Sequence, residues 1–296
     1  MRRSTLAGLA ITLASFLFGT TFVVIKDAVE FFPPISFVAW RFLLGGLVLA
    51  LIAWPRNRQA GAERGIWRDA TIAGSLLFFG YSFQTAGLTT TGASNSALIT
   101  GLFIVITPLL AGIFARRLPR PFVVVGALVA FFGVLLLTAQ PGTRFVGGDV
   151  LTIGAAFSFA GHILALDRFA HRHPIVLFTA CQLLVTALLA LPTAFLIEGL
   201  PLPGPREVPA LLITAIGVSA GAYLLQVWAQ TVIGPARTGV LLALEPAFGV
   251  ATAAVVLDER LTMRGWIGAV LILGGVFLVI LRGEESLKTV ALSQAD

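Results

Sequence analysis

The chain has 296 residues, of which 57% are hydrophobic and only 11% are charged. Soluble domains carry about 25% charged residues, so this composition, with a mean hydropathy of +0.96, excludes an ordinary soluble protein and indicates an integral membrane protein. A single cysteine excludes a disulfide framework, and with three histidines it indicates no metal cluster, so we expect no cofactor. The net charge is +6, but the basic residues lie in short loops between apolar runs, so we expect no nucleic-acid partner.

Ten apolar runs follow one another along the chain. A helix needs about 20 residues to cross about 30 Å of hydrocarbon, and helices are expected because an open sheet leaves backbone groups unsatisfied in lipid. The runs cover residues 5–26, 34–54, 69–89, 93–115, 121–139, 149–168, 174–197, 207–231, 235–257 and 263–282. The sequence therefore predicts an all-α membrane protein with ten transmembrane helices and no soluble catalytic domain.

Positive charge is distributed unevenly between the two sets of loops. One set holds thirteen Lys and Arg residues, among them Arg2, Arg3 and Arg116, and the other set holds five. Because cytoplasmic loops carry the excess of basic residues, we expect both termini in the cytoplasm and the protein in the cytoplasmic (inner) membrane. A basic start before an apolar run is also typical of a signal peptide, but this run continues to Ile25, so we expect it to be the first span.

The two halves of the chain repeat each other at a nearly constant offset. Tyr81 and Gln84 match Tyr223 and Gln226 at an offset of 142, and the chain contains only two tyrosines. Spans one and two match spans six and seven at an offset of 141. Because five helices per repeat is an odd number, the second repeat is inverted, which is a common plan in transporters. The expected units are a first five-helix repeat over 1–140, a second over 141–283 and a cytoplasmic tail over 284–296.

Short motifs add a resemblance to a known family. Leu244-Glu245-Pro246 is followed by Asp258-Glu259-Arg260-Leu261, and in the first half Ala93–Ala97 leads to Thr107-Pro108. With its ten spans and inverted repeat, the chain resembles the EamA branch of the drug/metabolite transporter superfamily over nearly its whole length. The resemblance implies export of small metabolites such as amino acids from a central cavity lined by the third, fourth, eighth and ninth helices, with the first and sixth.

Two ionisable residues lie in the middle of predicted spans. Glu245 is ten residues past Pro235, counted from the cytoplasmic end of its span, and Arg41 is seven residues past Pro34, counted from the outer end of its span. At about 1.5 Å per residue, both therefore lie in the middle region of the membrane, at similar depth. Such residues are costly in lipid and commonly functional. Glu245 would bind a substrate ammonium or exchange a proton, and Arg41 would bind a substrate carboxylate with its planar fork. The alternative is structural, with Arg41 paired to Glu245 or reaching outward to the interface.

Other candidates are polar residues that share helix faces. Each Tyr-x-x-Gln places two polar side chains three residues apart on one face, where Tyr81, Gln84, Tyr223 and Gln226 would line a cavity or join helices by hydrogen bonds. Asn95, in the first turn of the fourth span, would cap that helix or face the cavity.

His162 and two prolines complete the set of unusual residues within spans. His162 would relay protons or pack in the core. Pro108 and Pro246 lie mid-span, where proline bends a helix, and hinges or static bends are the two interpretations. Because Pro246 has no N–H, the carbonyl of Leu242 is expected to lose its helical partner.

These features predict a secondary transporter that exports small metabolites, first of all amino acids or related zwitterions, by alternating access. No P-loop, dinucleotide fingerprint or HExxH motif occurs, so a gradient of substrate or protons is expected to drive transport. The alternatives are a proton-coupled exporter of lipophilic cations, a membrane-embedded enzyme that acts on lipid, and a channel. The expected partners are a small-molecule substrate, protons and membrane lipid, and ten helices suffice for a monomer.

Overall fold

The computed structural model describes residues 3–29, 31–57, 65–88, 90, 96, 99–116, 118–138, 146–256 and 262–293. All regular elements within these ranges are helices. Asn95 and the Asp258-Glu259-Arg260-Leu261 motif lie outside the described residues, so the expectations that rest on them stay predictions.

Helices occupy the apolar runs of the sequence. In chain order they are α1 (Arg3–Val29), α2 (Pro34–Asn57), α3 (Ile66–Leu88), α4 (Phe103–Ala115), α5 (Pro121–Thr138), α6 (Gly147–Phe169), α7 (Ile175–Glu198), α8 (Val208–Ile233), α9 (Pro235–Leu241), α10 (Leu244–Val256) and α11 (Met263–Ser293). A short 3₁₀ turn, Ala170–Arg172, follows α6. Within α8, the stretch Ile213–Ala222 is π-helical.

Five helical segments in the described residues are long and apolar enough to cross a membrane. They are Arg3–Thr21, Pro34–Ala53, Gly147–Arg172, Ile175–Glu198 and Val208–Ile233. Shorter apolar helices lie at Phe103–Phe114, Pro121–Leu136 and Met263–Val279. The chain is therefore an all-helical membrane protein, whereas the number of ten spans stays a prediction.

The predicted ninth span is interrupted directly before Glu245. The Leu242 carbonyl, which Pro246 deprives of its usual partner, accepts a hydrogen bond from the Glu245 N–H at 3.0 Å. The adjacent Leu241 carbonyl accepts one from the Ser15 hydroxyl of α1 at 3.3 Å. A local turn and a neighbouring helix thus satisfy these two carbonyls, as backbone at membrane depth requires.

A similar interruption occurs in the predicted fourth span. A turn at Gly101-Leu102 precedes α4, and the Ile104 N–H donates to the Gly101 carbonyl at 3.0 Å. Gly101 lies 142 residues before Ala243, which belongs to the turn between α9 and α10. Pro108 lies inside α4, so the interruption in this half does not coincide with the proline.

Glycines allow close packing of the helices that hold the two halves together. α2 packs along α7, and α5 packs along α11. A Cβ added to Gly126 would meet the Gly275 carbonyl at 2.8 Å, and one added to Gly133 would meet the Gly268 carbonyl at 2.6 Å. The backbones of α5 and α11 are therefore in direct contact, which small residues make possible in membrane helices.

Candidate functional site

A central cavity lies between α1, α2, α3, α4, α6, α8 and the break between α9 and α10. It encloses about 660 Å³ of space between atoms, including the part that opens to solvent. Seven of the eight candidate residues line it, namely Arg41, Tyr81, Gln84, His162, Tyr223, Gln226 and Glu245. The eighth, Asn95, lies outside the described residues.

Arg41 of α2 is only 2% exposed and forms part of the cavity wall. Its Nε donates a hydrogen bond of 2.8 Å to the Ser219 hydroxyl of α8. Its guanidinium carbon lies 5.1 Å from the ring centre of Tyr81 and 5.3 Å from that of Phe42, distances that allow cation–π attraction. The two Nη groups form no hydrogen bond or ion pair within the described part of the chain, so they are available to an anion in the cavity.

Glu245 lies in the first turn of α10, a position that favours a carboxylate, and is half-buried at the same cavity. A Cβ added to Gly19 of α1 would collide with the Glu245 carbonyl, so α1 and α10 are in close contact here. Among the described residues, no ion pair of 4.0 Å or less joins Glu245 to Arg41. The cavity therefore contains a basic and an acidic side chain that are not joined in a salt bridge.

The two tyrosines that reveal the sequence repeat meet at the cavity. The Tyr223 hydroxyl donates to the Tyr81 hydroxyl at 2.8 Å and joins α8 to α3. Phe18 packs edge-on against Tyr223 at 5.1 Å between ring centres, and Phe159 packs edge-on against Tyr81 at 5.3 Å. Phe18 and Phe159 match at the offset of 141, so equivalent residues of both halves build the aromatic wall.

Amide and imidazole side chains form the rest of the polar wall. Gln84 donates from Nε2 to the Thr100 hydroxyl at 3.1 Å, and Gln226 is 3% exposed at the cavity. The Nε2 atom of His162 lies 2.9 Å from Oε1 of the buried Gln182. His162 therefore lines the cavity and is also held by a neighbouring helix, and its role as a proton relay stays a prediction.

Several further residues line the cavity that were not expected from the sequence, among them Thr21, Thr100 and Phe103. Their residue types carry no chemical signal. The repeat does carry one, because Thr21 lies at the position equivalent to His162 and Phe103 at the position equivalent to Glu245. Transferring each candidate to the other half of the chain would have identified both residues.

The chain matches the model of the EamA-like transporter family twice, over residues 5–139 and 146–281. It is similar to an "Uncharacterized transporter" of Archaeoglobus fulgidus, with 29% identity over 93% of this chain and 86% of that protein. It is also similar to a "Probable amino-acid metabolite efflux pump" of Salmonella typhimurium, with 29% identity over 92% of this chain and 93% of that protein. The protein with the same description in Escherichia coli is 28% identical over 95% of this chain and 97% of its own length.

A solved crystal structure shares the fold. It superposes with a TM-score of 0.81 at 23% sequence identity, over 94% of this chain and 98% of that chain. At this level of identity, the likeness shows the helical architecture alone.

Proposed function

The chain belongs to the EamA-like transporter family, and from this premise we propose that it exports small zwitterionic metabolites, first of all amino acids, by alternating access. The family and the names of the relatives indicate a transporter rather than an enzyme. The relatives described as probable amino-acid metabolite efflux pumps support the choice of substrate class and of direction.

The observation that carries the proposal is that a basic side chain, Arg41, and an acidic one, Glu245, line one cavity without an ion pair between them. The Nη groups of Arg41 would form two parallel hydrogen bonds with a substrate carboxylate. Glu245 would bind the ammonium at the other end. A zwitterion satisfies both charges at once, which offsets the cost of keeping them at membrane depth.

We assign the chain ten spans in two inverted five-helix repeats, 1–140 and 141–283, with a tail over 284–296. Two family matches of similar length support this division. The glycine contacts support the inversion, because Gly126 is equivalent to Gly268 and Gly133 to Gly275 at the offset of 142. Exchanging the halves therefore converts the Gly126–Gly275 contact into the Gly268–Gly133 contact, as a two-fold relation requires.

Alternating access would use the two interrupted helices. The turns at Gly101-Leu102 and at Leu242-Ala243 lie at equivalent positions and next to cavity residues. Interrupted helices at the midplane are typical of secondary transporters, in which the repeats move against each other around a fixed site. We place the protein as a monomer in the cytoplasmic (inner) membrane, with both termini in the cytoplasm.

A second candidate function is the proton-coupled export of lipophilic cations. The aromatic wall formed by Phe18, Phe159 and the two tyrosines favours it, because aromatic faces attract cations, and Glu245 would exchange the proton. This function has no need of the free Nη groups of Arg41, which is why zwitterions fit the cavity better.

The decisive experiment measures ligand-induced stabilisation. The detergent-purified protein is melted in the presence of amino acids, lipophilic cations, sugars and nucleosides, because a ligand that binds the folded state raises the melting temperature. We expect stabilisation by zwitterions, its loss in Arg41→Gln, and export of the same compounds by loaded vesicles. Stabilisation by cations alone, unchanged in Arg41→Gln, would favour the second candidate.

A further inference from the structure

Phe18, Tyr81 and Gln84 of the cavity recur in the second half of the chain as Phe159, Tyr223 and Gln226, but the arginine of the cavity does not recur. The position 141 residues after Arg41 is Gln182, and the position 142 residues before Ser219 is Leu77. The hydrogen bond between Arg41 and Ser219 therefore has no counterpart in the other half, where Gln182 instead contacts His162. Both Arg41 and Ser219 have a different residue at the equivalent position, so this contact is specific to one of the two positions that the repeat relates.

The backbone around Ser219 also departs from the repeat. Ser219 lies in the π-helical stretch of α8, where the Tyr223 N–H donates to the Val218 carbonyl five residues back. The equivalent residues 71–80 of α3 are α-helical. π-helical turns are rare and occur frequently at functional sites.

Close packing fixes the π-helical stretch of α8 against α2, the helix that contains Arg41. A Cβ added to Gly45 of α2 would meet the Ala215 carbonyl and the Ser219 Cβ, both at 2.8 Å. Ser219 is fully buried. Its hydroxyl therefore has little freedom to move away from the Nε atom of Arg41.

The contacts of Arg41 with the described residues hold the Nε atom and the plane of its guanidinium and leave the two Nη groups free. Ser219 engages Nε, and the rings of Phe42 and Tyr81 flank the group. The two Nη groups remain for a ligand. A donor that is fixed before binding loses less conformational freedom when the ligand arrives, so its affinity is higher.

We propose that Ser219 is a positioning residue that pre-organises Arg41 for the substrate carboxylate and thereby sets the preference for zwitterions over cations. This inference rests on the proposed function, because it assumes that a carboxylate binds at Arg41. It adds a residue that touches no substrate and acts through the arginine.

The test compares one amino acid with its carboxamide, which keeps the ammonium but lacks the carboxylate. Leucine and leucinamide are titrated into the purified full-length protein by calorimetry. In Ser219→Ala we expect the affinity for leucine to fall about tenfold, which corresponds to about 1.4 kcal/mol, and the affinity for leucinamide to stay unchanged. The matched control is Thr214→Val in the same helix, because Thr214 is equally buried and its hydroxyl bonds only to carbonyls within α8; it should change neither affinity.

A second measurement separates positioning from a general packing defect. In an Arg41→Gln background, Ser219→Ala should have no further effect on leucine binding, because residues that act through one contact are not additive. Equal losses for leucine and leucinamide in Ser219→Ala, or the same loss in both backgrounds, would overturn the inference. A native protein with no preference for leucine over leucinamide would also overturn it, since no anion contact would then exist.

Sodium acetate distinguishes failure of this inference from failure of the proposed function. If acetate protects the native protein against melting and Ser219→Ala weakens that protection, the role of Ser219 stands even when vesicles export no amino acid. If vesicles export amino acids and Ser219→Ala binds leucine as tightly as the native chain, the function stands and the role of Ser219 is wrong.

Discussion

The Asp69 carboxylate of α3 lies 2.9 Å from Nε2 of His173, which follows α6, and the two side chains are only 2% and 4% exposed. The equivalent positions in the repeat are Leu211 and Phe32, and these two residues belong to one apolar cluster. His173 lies just before the start of α7, and Phe32 lies just before the start of α2. Ser36 in the first turn of α2 binds Glu198 at the end of α7, so Phe32 and His173 lie at opposite ends of α7. Equivalent residues therefore pack at the two ends of the helix bundle, through a polar contact at one end and an apolar cluster at the other.

We expect the polar pair Asp69 and His173 to be replaceable by the apolar residues of the equivalent positions. The double variant Asp69→Leu/His173→Phe copies the opposite end and should melt close to the native chain, because a buried polar pair can be exchanged for packed apolar residues at little cost. The Arg68 and Arg172 side chains, which also contact Asp69, are exposed and stay hydrated in this variant. The single variant Asp69→Leu should lose about 1–3 kcal/mol, since it removes a buried hydrogen bond of His173. Unfolding of the purified protein is measured for the native chain, the double variant and the two single variants, Asp69→Leu and His173→Phe. A double variant that loses as much as the sum of the single variants would contradict the expectation.

Glu245→Gln removes the carboxylate from the cavity and keeps the size of the side chain. We expect it to abolish or strongly reduce export of zwitterions, because the ammonium contact loses its charge. Transport by reconstituted vesicles, measured between pH 5 and 9, also tests the proton role. Transport and pH dependence that both match the native chain would exclude Glu245 from either task.

The glycine contact between α5 and α11 offers a stability test at Gly275, with the adjacent Gly274 as its control. A Cβ at Gly275 would lie 2.5 Å from the Gly126 carbonyl, whereas one at Gly274 would meet nothing within 4 Å. Gly275→Ala should therefore destabilise the protein by about 1–3 kcal/mol, the usual cost of overpacking. Gly274→Ala should leave the melting temperature unchanged or raise it, because alanine favours helix. Equal melting temperatures for the two variants would mean that α5 and α11 are not in contact.

The orientation in the membrane is testable because the chain has a single cysteine. Cys181 is 2% exposed, and Cys181→Ala provides a background without thiols. Leu202→Cys, at a side chain that is 79% exposed, should react with a membrane-impermeant maleimide in intact cells, since we expect the loop after α7 outside. His171→Cys, at an exposed position after α6, should react only after permeabilisation. The reverse pattern would place both termini outside.

Much of the architecture follows from the sequence because the membrane imposes simple rules. Apolar runs of about 20 residues become helices since lipid offers their backbone no other partner. Most helix bounds consequently lie within a few residues of the predicted runs. The fourth and ninth runs are divided, at Gly101-Leu102 and at Leu242-Ala243, and α11 continues to Ser293, past the predicted end of the tenth run at residue 282. Ionisable residues within the predicted spans, His162 included, and the repeated Tyr-x-x-Gln selected seven residues that the structure brings to one cavity, and their role in binding stays a prediction.

The sequence by itself indicated an all-helical membrane protein, a repeat between its two halves and the residues of the apolar runs that are chemically unusual, because hydrophobicity and residue type are local properties. Only the tertiary structure decided which of these residues meet. The Arg41–Ser219 contact joins positions 178 residues apart, and the Asp69–His173 contact joins positions 104 apart. Such contacts depend on how helices pack and on a local π-helical turn, and packing is set by the shapes of many side chains at once rather than by any pattern along the chain.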